Sequence, residues 1–207
     1  MPRKRHFGYL LLTLLVISGL AGTPTNNSLS IKERKYVTEL LKDTKSNVVN
    51  AVKGLTEAQL NFKAGPDIWS IKECIYHIAI SEKKLWGLME TSLKGAANPE
   101  KRAEIKMTDD QLLKMLEDRS FKVKMSESFE PKKSPYKTNE EAIEDFKMTR
   151  ANHIKYLKAT TEELRNHVIQ MPFGWLDCYQ LCLMIGAQSN RHTQQINEVK
   201  ANPRYPN

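Results

Sequence analysis

A chain of 207 residues, 40% of them hydrophobic and 27% charged, is long enough to bury a core of its own without disulfide staples. Its formal charge of +8 comes from 32 Lys and Arg set against 24 Asp and Glu. The two signs are interleaved at helical spacings with no aromatic-laced basic patch, so no nucleic-acid partner is expected. No internal repeat or low-complexity tract divides the chain, and one domain is expected.

Residues 1–21 read as a secretory signal peptide. Arg3, Lys4 and Arg5 form a basic start, Phe7 to Ile17 is apolar apart from Gly8 and Thr13, and Ser18-Gly19-Leu20-Ala21 offers small residues for cleavage after Ala21. The apolar run falls short of the ~20 residues that span a bilayer, so cleavage is expected rather than retention as an anchor. No Cys follows the run to carry a lipid. Cleavage removes three basic residues and no acid, taking the charge from +8 to +5. The mature chain is then expected outside the cytoplasm, in a bacterial periplasm or secreted, with no membrane association. Residues 22–29 form a polar linker, and the folded domain is expected over 30–203.

Ser30-Ile-Lys-Glu33 has the form of a capping box. Tyr36, Val37, Leu40, Leu41, Thr44, Val48, Val49 and Val52 follow it at helical spacing, to about Gly54. A turn of helix is expected at Thr56 to Leu60. Ser70-Ile-Lys-Glu73 is a second capping box, with Ile68 and Trp69 packing at the helix start. Ile71, Ile75, Ile78, Leu85 and Met89 then form an apolar face, flanked by Cys74, His77, Ser81 and Lys84, ending near Gly95. Thr108 to Gln111 starts a short helix through Leu116. Phe121 to Tyr136, with Pro131 and Pro135, reads as an extended crossover covering one end of a bundle.

Thr138-Asn-Glu-Glu141 reads as a further capping box, leading a helix through Ala142, Ile143, Phe146, Arg150, His153, Ile154 and Leu157 to about His167. Pro172 and Gly174 break the chain before Asp177 opens the last helix, which Asn202-Pro203 closes. Four long helices with a crossover between the second and third make an all-α four-helix bundle.

Cysteine usage constrains little. Cys74, Cys178 and Cys182 are an odd set, leaving at least one thiol unpaired within the chain. Cys178 and Cys182, four apart on a helix, are poorly placed to bridge each other. A bridge from Cys74 to one of them needs two helices side by side; the alternative is three small buried hydrophobes.

The last helix carries the strongest chemical signal. Leu181, Ile185, Gln188, His192, Ile196 and Val199 fall on one face. Gln188 and His192, one turn apart on that otherwise apolar stripe, need partners, since an unpaired buried polar group costs about 1–3 kcal/mol. His77 is the natural third group. Inward side chains of facing helices build metal sites in bundle cores, and two imidazoles suit a borderline divalent ion such as zinc, nickel, copper or ferrous iron. The competing account is a hydrogen-bonded polar core. His167 is assigned to a helix end, His153 to the core or to support of the site, Glu73 to capping, and Arg191 to an anion or to solvent.

The run Leu55 to His77, with Trp69-Ser-Ile-Lys-Glu73 followed by His77-Ile-Ala-Ile-Ser-Glu82, resembles the DinB-like (DinB/YfiT) superfamily. Asn190-Arg-His-Thr193, Gln195-Ile196 and the tail Glu198 to Pro203 resemble it too, so the likeness covers essentially the whole mature chain. The resemblance implies an up-down-down-up four-helix bundle holding a divalent metal through three histidines. One would match His77, and the second of a His-x-x-x-His pair on the last helix would match His192. The first of that pair falls on Gln188, a neutral and poorer donor. The family includes thiol-dependent S-transferases and isomerases, implying a small-molecule substrate or thiol, and its members often form homodimers. Three readings follow. One is a metal-dependent transferase or hydrolase whose zinc, nickel or iron is held by His77, Gln188 and His192. Another is a non-catalytic bundle without metal, a binding or structural module. The third is a membrane-tethered partner-binding bundle, should the N-terminal segment stay attached.

Overall fold

The computed structural model describes residues 28–120 and 127–207. The signal-peptide segment and most of the linker lie outside the described residues, as does the start of the Phe121 to Tyr136 crossover. Six α-helices are present among the described residues: α1 (Ile31–Val52), α2 (Glu57–Asn61), α3 (Ile71–Lys94), α4 (Asp109–Glu117), α5 (Asn139–Ala159) and α6 (Cys178–Lys200). A two-stranded hairpin, β1 (Val168–Met171) and β2 (Gly174–Asp177), precedes α6. None of these helices is long and apolar enough to cross a membrane.

Local chemistry sets the helix starts. Ser30, Thr56, Ser70 and Thr108 each accept the N3 amide while the N3 Glu or Gln side chain returns to the cap amide. These reciprocal bonds satisfy donors that the first helical turn leaves orphaned. The box expected at Thr138 is only half formed. Its hydroxyl accepts from the Glu141 amide, but the Glu141 carboxylate takes the Lys137 amide instead, one residue outside the cap.

Side-chain contacts fix the helix directions. Arg34 reaches the Leu157 carbonyl and Thr44 meets Arg150, so α1 and α5 run antiparallel. Met89 meets Cys182 and His77 meets His192, so α3 and α6 are antiparallel too. Lys83 pairs with Asp145 and Trp86 packs on His153 and Tyr156, which makes α3 and α5 parallel neighbours. Tyr179 bonds the Glu33 carbonyl and Lys200 the Ala51 carbonyl, so α1 and α6 are parallel. The result is the expected up-down-down-up bundle. Parallel α3 and α5 cannot be joined by a tight turn, which is why the crossover between them is long.

Several expectations are corrected. Single turns at Glu127–Phe129 and Pro131–Lys133 lie against the flank of α3 rather than over one end of the bundle. The helix drawn to His167 stops at Ala159. His167 sits just before β1, where its Nδ1 bonds the Ser92 carbonyl at 3.0 Å, so it ties the hairpin to α3 instead of answering a helix dipole. Arg191 faces neither solvent nor an open anion site: it is 5% exposed and donates to the Leu116 and Asp118 carbonyls at the end of α4. All three cysteines are free and buried, with Cys74 in a different core cluster from Cys178 and Cys182. Burial raises all three thiols, Cys178 to about 11, so none offers a thiolate near neutral pH.

Helices α1 and α6 approach closely at Gly186. A Cβ on Gly186 would come within 2.8 Å of Leu40 Cγ and Cδ2. Because Cγ is close to the backbone, a simple rotamer change does not clear it. Gly186→Ala should therefore lose stability in urea unfolding, since overpacking costs about 1–3 kcal/mol against the ~1 kcal/mol that alanine contributes to a helix. A stabilised variant would show that α1 and α6 separate freely.

Candidate metal centre

Antiparallel α3 and α6 bring His77 and His192 together, with ring centroids 4.3 Å apart and ring planes at 66°. His77 is 5% and His192 6% exposed. Trp69, just before the α3 cap, lies 4.9 Å from the His77 ring and stacks on His192 at 5.6 Å and 22°. The residue assigned to packing at the helix start is thus also the wall of the site.

Each imidazole has one nitrogen committed. His77 Nδ1 lies 2.7 Å from the Phe129 carbonyl, which only accepts, so Nδ1 carries the proton. His192 Nδ1 faces Gln195 Oε1 at 3.0 Å in the same sense. In the neutral rings both Nε2 atoms therefore carry the lone pair. The Ser81 hydroxyl donates to His77 Nε2 across 3.3 Å. Orienting one imidazole nitrogen through a carbonyl so that the other is free is how proteins prepare histidine as a metal ligand.

Electrostatics keeps the rings neutral. Burial pushes the His77 imidazole down to about 4, outweighing the opposing pull of the Phe129 carbonyl. Burial also holds His192 well below the usual range, and His77 and Arg191 act in the same direction. Gln188 lies one turn before His192 and is 6% exposed; its side chain makes no hydrogen bond with any described residue. Among the described residues, no group of three or more His, Cys, Asp or Glu is placed to hold a metal. A three-donor set here thus requires the Gln188 amide oxygen alongside the two imidazoles. Two Nε2 lone pairs suit a borderline divalent ion chemically, and with Gln188 as third donor the set would be neutral and leave the ion's charge uncompensated.

One side of the core held more than the sequence suggested. Arg150 of α5, fully buried, donates to both Glu82 oxygens of α3 at 2.7 and 2.5 Å, to Thr44 Oγ1 and the Leu41 carbonyl of α1, and to Ser189 Oγ of α6. His153 bonds Glu82 at 2.8 Å and stacks flat on Trp86 at 3.6 Å. His153 therefore belongs to this ionic cluster and does not support the His77–His192 pair. Burial alone would raise the Glu82 carboxyl; Arg150 and His153 outweigh it and hold it below the usual range. The signal was present: Arg150 interrupts an apolar stripe, and a charge there demands a buried counterion.

Comparison with known proteins follows the geometry. The sequence matches the DinB superfamily over residues 40–196. It is 28% identical over 152 residues to the uncharacterized protein YuaE of Bacillus subtilis (strain 168), spanning 73% of this chain and 89% of that one. YfiT from Bacillus subtilis, described as a probable metal-dependent hydrolase with an unusual four-helix bundle topology, superposes with a TM-score of 0.57. The superposition covers 84% of this chain and 89% of YfiT at 14% identity, a likeness of fold.

Proposed function

The chain belongs to the DinB superfamily, and on that premise we propose that it is a divalent-metal-dependent enzyme of hydrolase or transferase type, with the ion held by His77, His192 and Gln188. The observation that carries this is the pair of buried imidazoles, each with Nδ1 bonded to a carbonyl oxygen and Nε2 left as the lone-pair donor. The description of YfiT as a probable metal-dependent hydrolase favours hydrolysis over thiol transfer. Thiol chemistry would need an external thiol, because burial keeps the chain's own three protonated.

The residues divide the work. The Phe129 carbonyl and Gln195 hold the rings in one tautomer, and Trp69 covers both rings and limits water. The Ser81 hydroxyl, 3.3 Å from His77 Nε2, would have to rotate away for that lone pair to hold an ion. Bound there, a divalent ion supplies Lewis acidity to a carbonyl or a thiol. The second reading, a bundle that binds without catalysis, is favoured by that same Ser81 contact and by Gln188 standing where the family resemblance implies histidine.

Metal titration of chelator-treated protein separates the two. About one equivalent of zinc, nickel or ferrous iron per chain is expected, lost in His77→Ala and tightened in Gln188→His by at least about tenfold, or ~1.4 kcal/mol. A wild-type chain that binds no ion while Gln188→His does would transfer the site to the second reading. We also place the mature protein outside the cytoplasm, from the signal-like residues 1–21; N-terminal sequencing that found Met1 on the mature chain would reject this.

A further inference from the structure

His77, Ile80 and Lys84 follow one another along α3 at spacings of three and four, so they share one face of the helix. The turn at Glu127–Phe129 crosses that face. Its Phe129 carbonyl accepts the hydrogen bond from His77 Nδ1–H, and its Phe129 ring lies 5.7 Å beneath the Lys84 ammonium. Beside it opens a cavity of about 420 Å³ lined by Ile80, Pro135 and the Tyr136 side chain, with lysines around them. That volume is within the range of small-molecule sites, roughly 300–1,000 Å³.

The charges around it are unequally matched. Lys83 is neutralised by Asp145 at 2.6 Å, which also accepts from the Tyr136 hydroxyl. Lys132, next in the chain to Lys133, pairs with Glu130 at 2.6 Å. Lys84 and Lys133 line the cavity, and neither has a carboxylate within ion-pair distance among the described residues. Glu127 is the acidic group in the lining. Among the described residues, the ammoniums of Lys84 and Lys133 against the Glu127 carboxylate leave a single positive charge uncompensated, over a partly apolar floor. That pattern suits a monoanion better than a dianionic phosphate.

We propose that this cavity binds a small organic carboxylate with an apolar body. Lys84 and Lys133 take the carboxylate, and Ile80, Pro135 and Tyr136 contact the body. Ile80 and Lys84 continue the helix face that carries His77, so a molecule seated there lies on the same side of α3 as that imidazole. Its role as the substrate arm of the metal centre rests on the functional reading above; the binding itself does not.

Isothermal titration of the full, EDTA-treated chain with 2-naphthoate tests it, with 2-naphthamide as the uncharged control of the same shape. Saturable one-to-one binding of the acid is expected, at least about tenfold tighter than the amide. A loss of about tenfold is expected in Lys84→Gln/Lys133→Gln, whose exposed side chains leave the fold intact. Equal binding of acid and amide, an unaffected double variant, or no saturable binding would overturn the proposal. Since the metal is removed beforehand, failure of the metal reading leaves this result standing.

Discussion

Arg150→Met should lower the free energy of unfolding by about 3–5 kcal/mol, the cost of breaking a buried ion pair and leaving its partner uncompensated. The size follows from position. Arg150 is fully buried, and its guanidinium makes hydrogen bonds to α1, α3 and α6 at one level of the bundle. Removing it strands the Glu82 carboxylate, 2% exposed, with His153 as its remaining partner. Glu82→Gln combined with Arg150→Met should recover much of the loss, because desolvating a pair offsets most of its attraction and removing both charges removes that penalty. Urea denaturation of the wild type and of the single and double variants reads this directly. A single variant within about 1 kcal/mol of wild type would show that water reaches the cluster.

Acidification of the metal-free protein should destabilise it well before ordinary carboxylates titrate. The His77 imidazole falls from an unfolded value near 6.5 to about 4 in the folded chain. Between those values the unfolded chain takes up a proton that the native chain refuses. Its contribution is therefore complete above pH 6.5 and is lost as pH falls towards 4. For His77 that amounts to about 3 kcal/mol. His192, depressed in the same direction, adds to the slope, and below pH 4.5 the depressed Glu82 carboxyl begins to contribute in the same sense. Unfolding free energies measured in EDTA at pH 7.5 and 4.5 check the sign, and His77→Gln should flatten the limb. Equal stability at the two pH values would mean that both rings are hydrated.

The parts legible in the sequence were those written in neighbouring residues. Ser30, Ser70 and Thr108 announce helix starts because cap and N3 partner lie three residues apart. Thr138 carried the same signature, but Glu141 found the Lys137 amide instead, a choice between two equally near donors. The hairpin was read only as a break: four-residue strands are too short to display period-two alternation, and Pro172 and Gly174 mark a turn without saying what it joins. His192 was legible as a polar residue on the apolar stripe of α6 and His77 as its candidate partner, the family resemblance agreed, and the bundle brings them together. Their orientation was not legible, because the His77 partner is a backbone carbonyl, and every residue has one. Glu82 and Arg150 are 68 residues apart, so neither predicts the other, although a charge on the α5 apolar stripe was a clue.

The position of α6 bears on how the core is completed. Of its 23 residues 17 are buried, and it packs against α1, α3 and α4. It follows α1, α3 and α4 in chain order. Until α6 is present, α1 and α3 lack a partner that both pack against. Completion of the core therefore waits for α6, whose contacts with α1 and α3 are of long sequence separation.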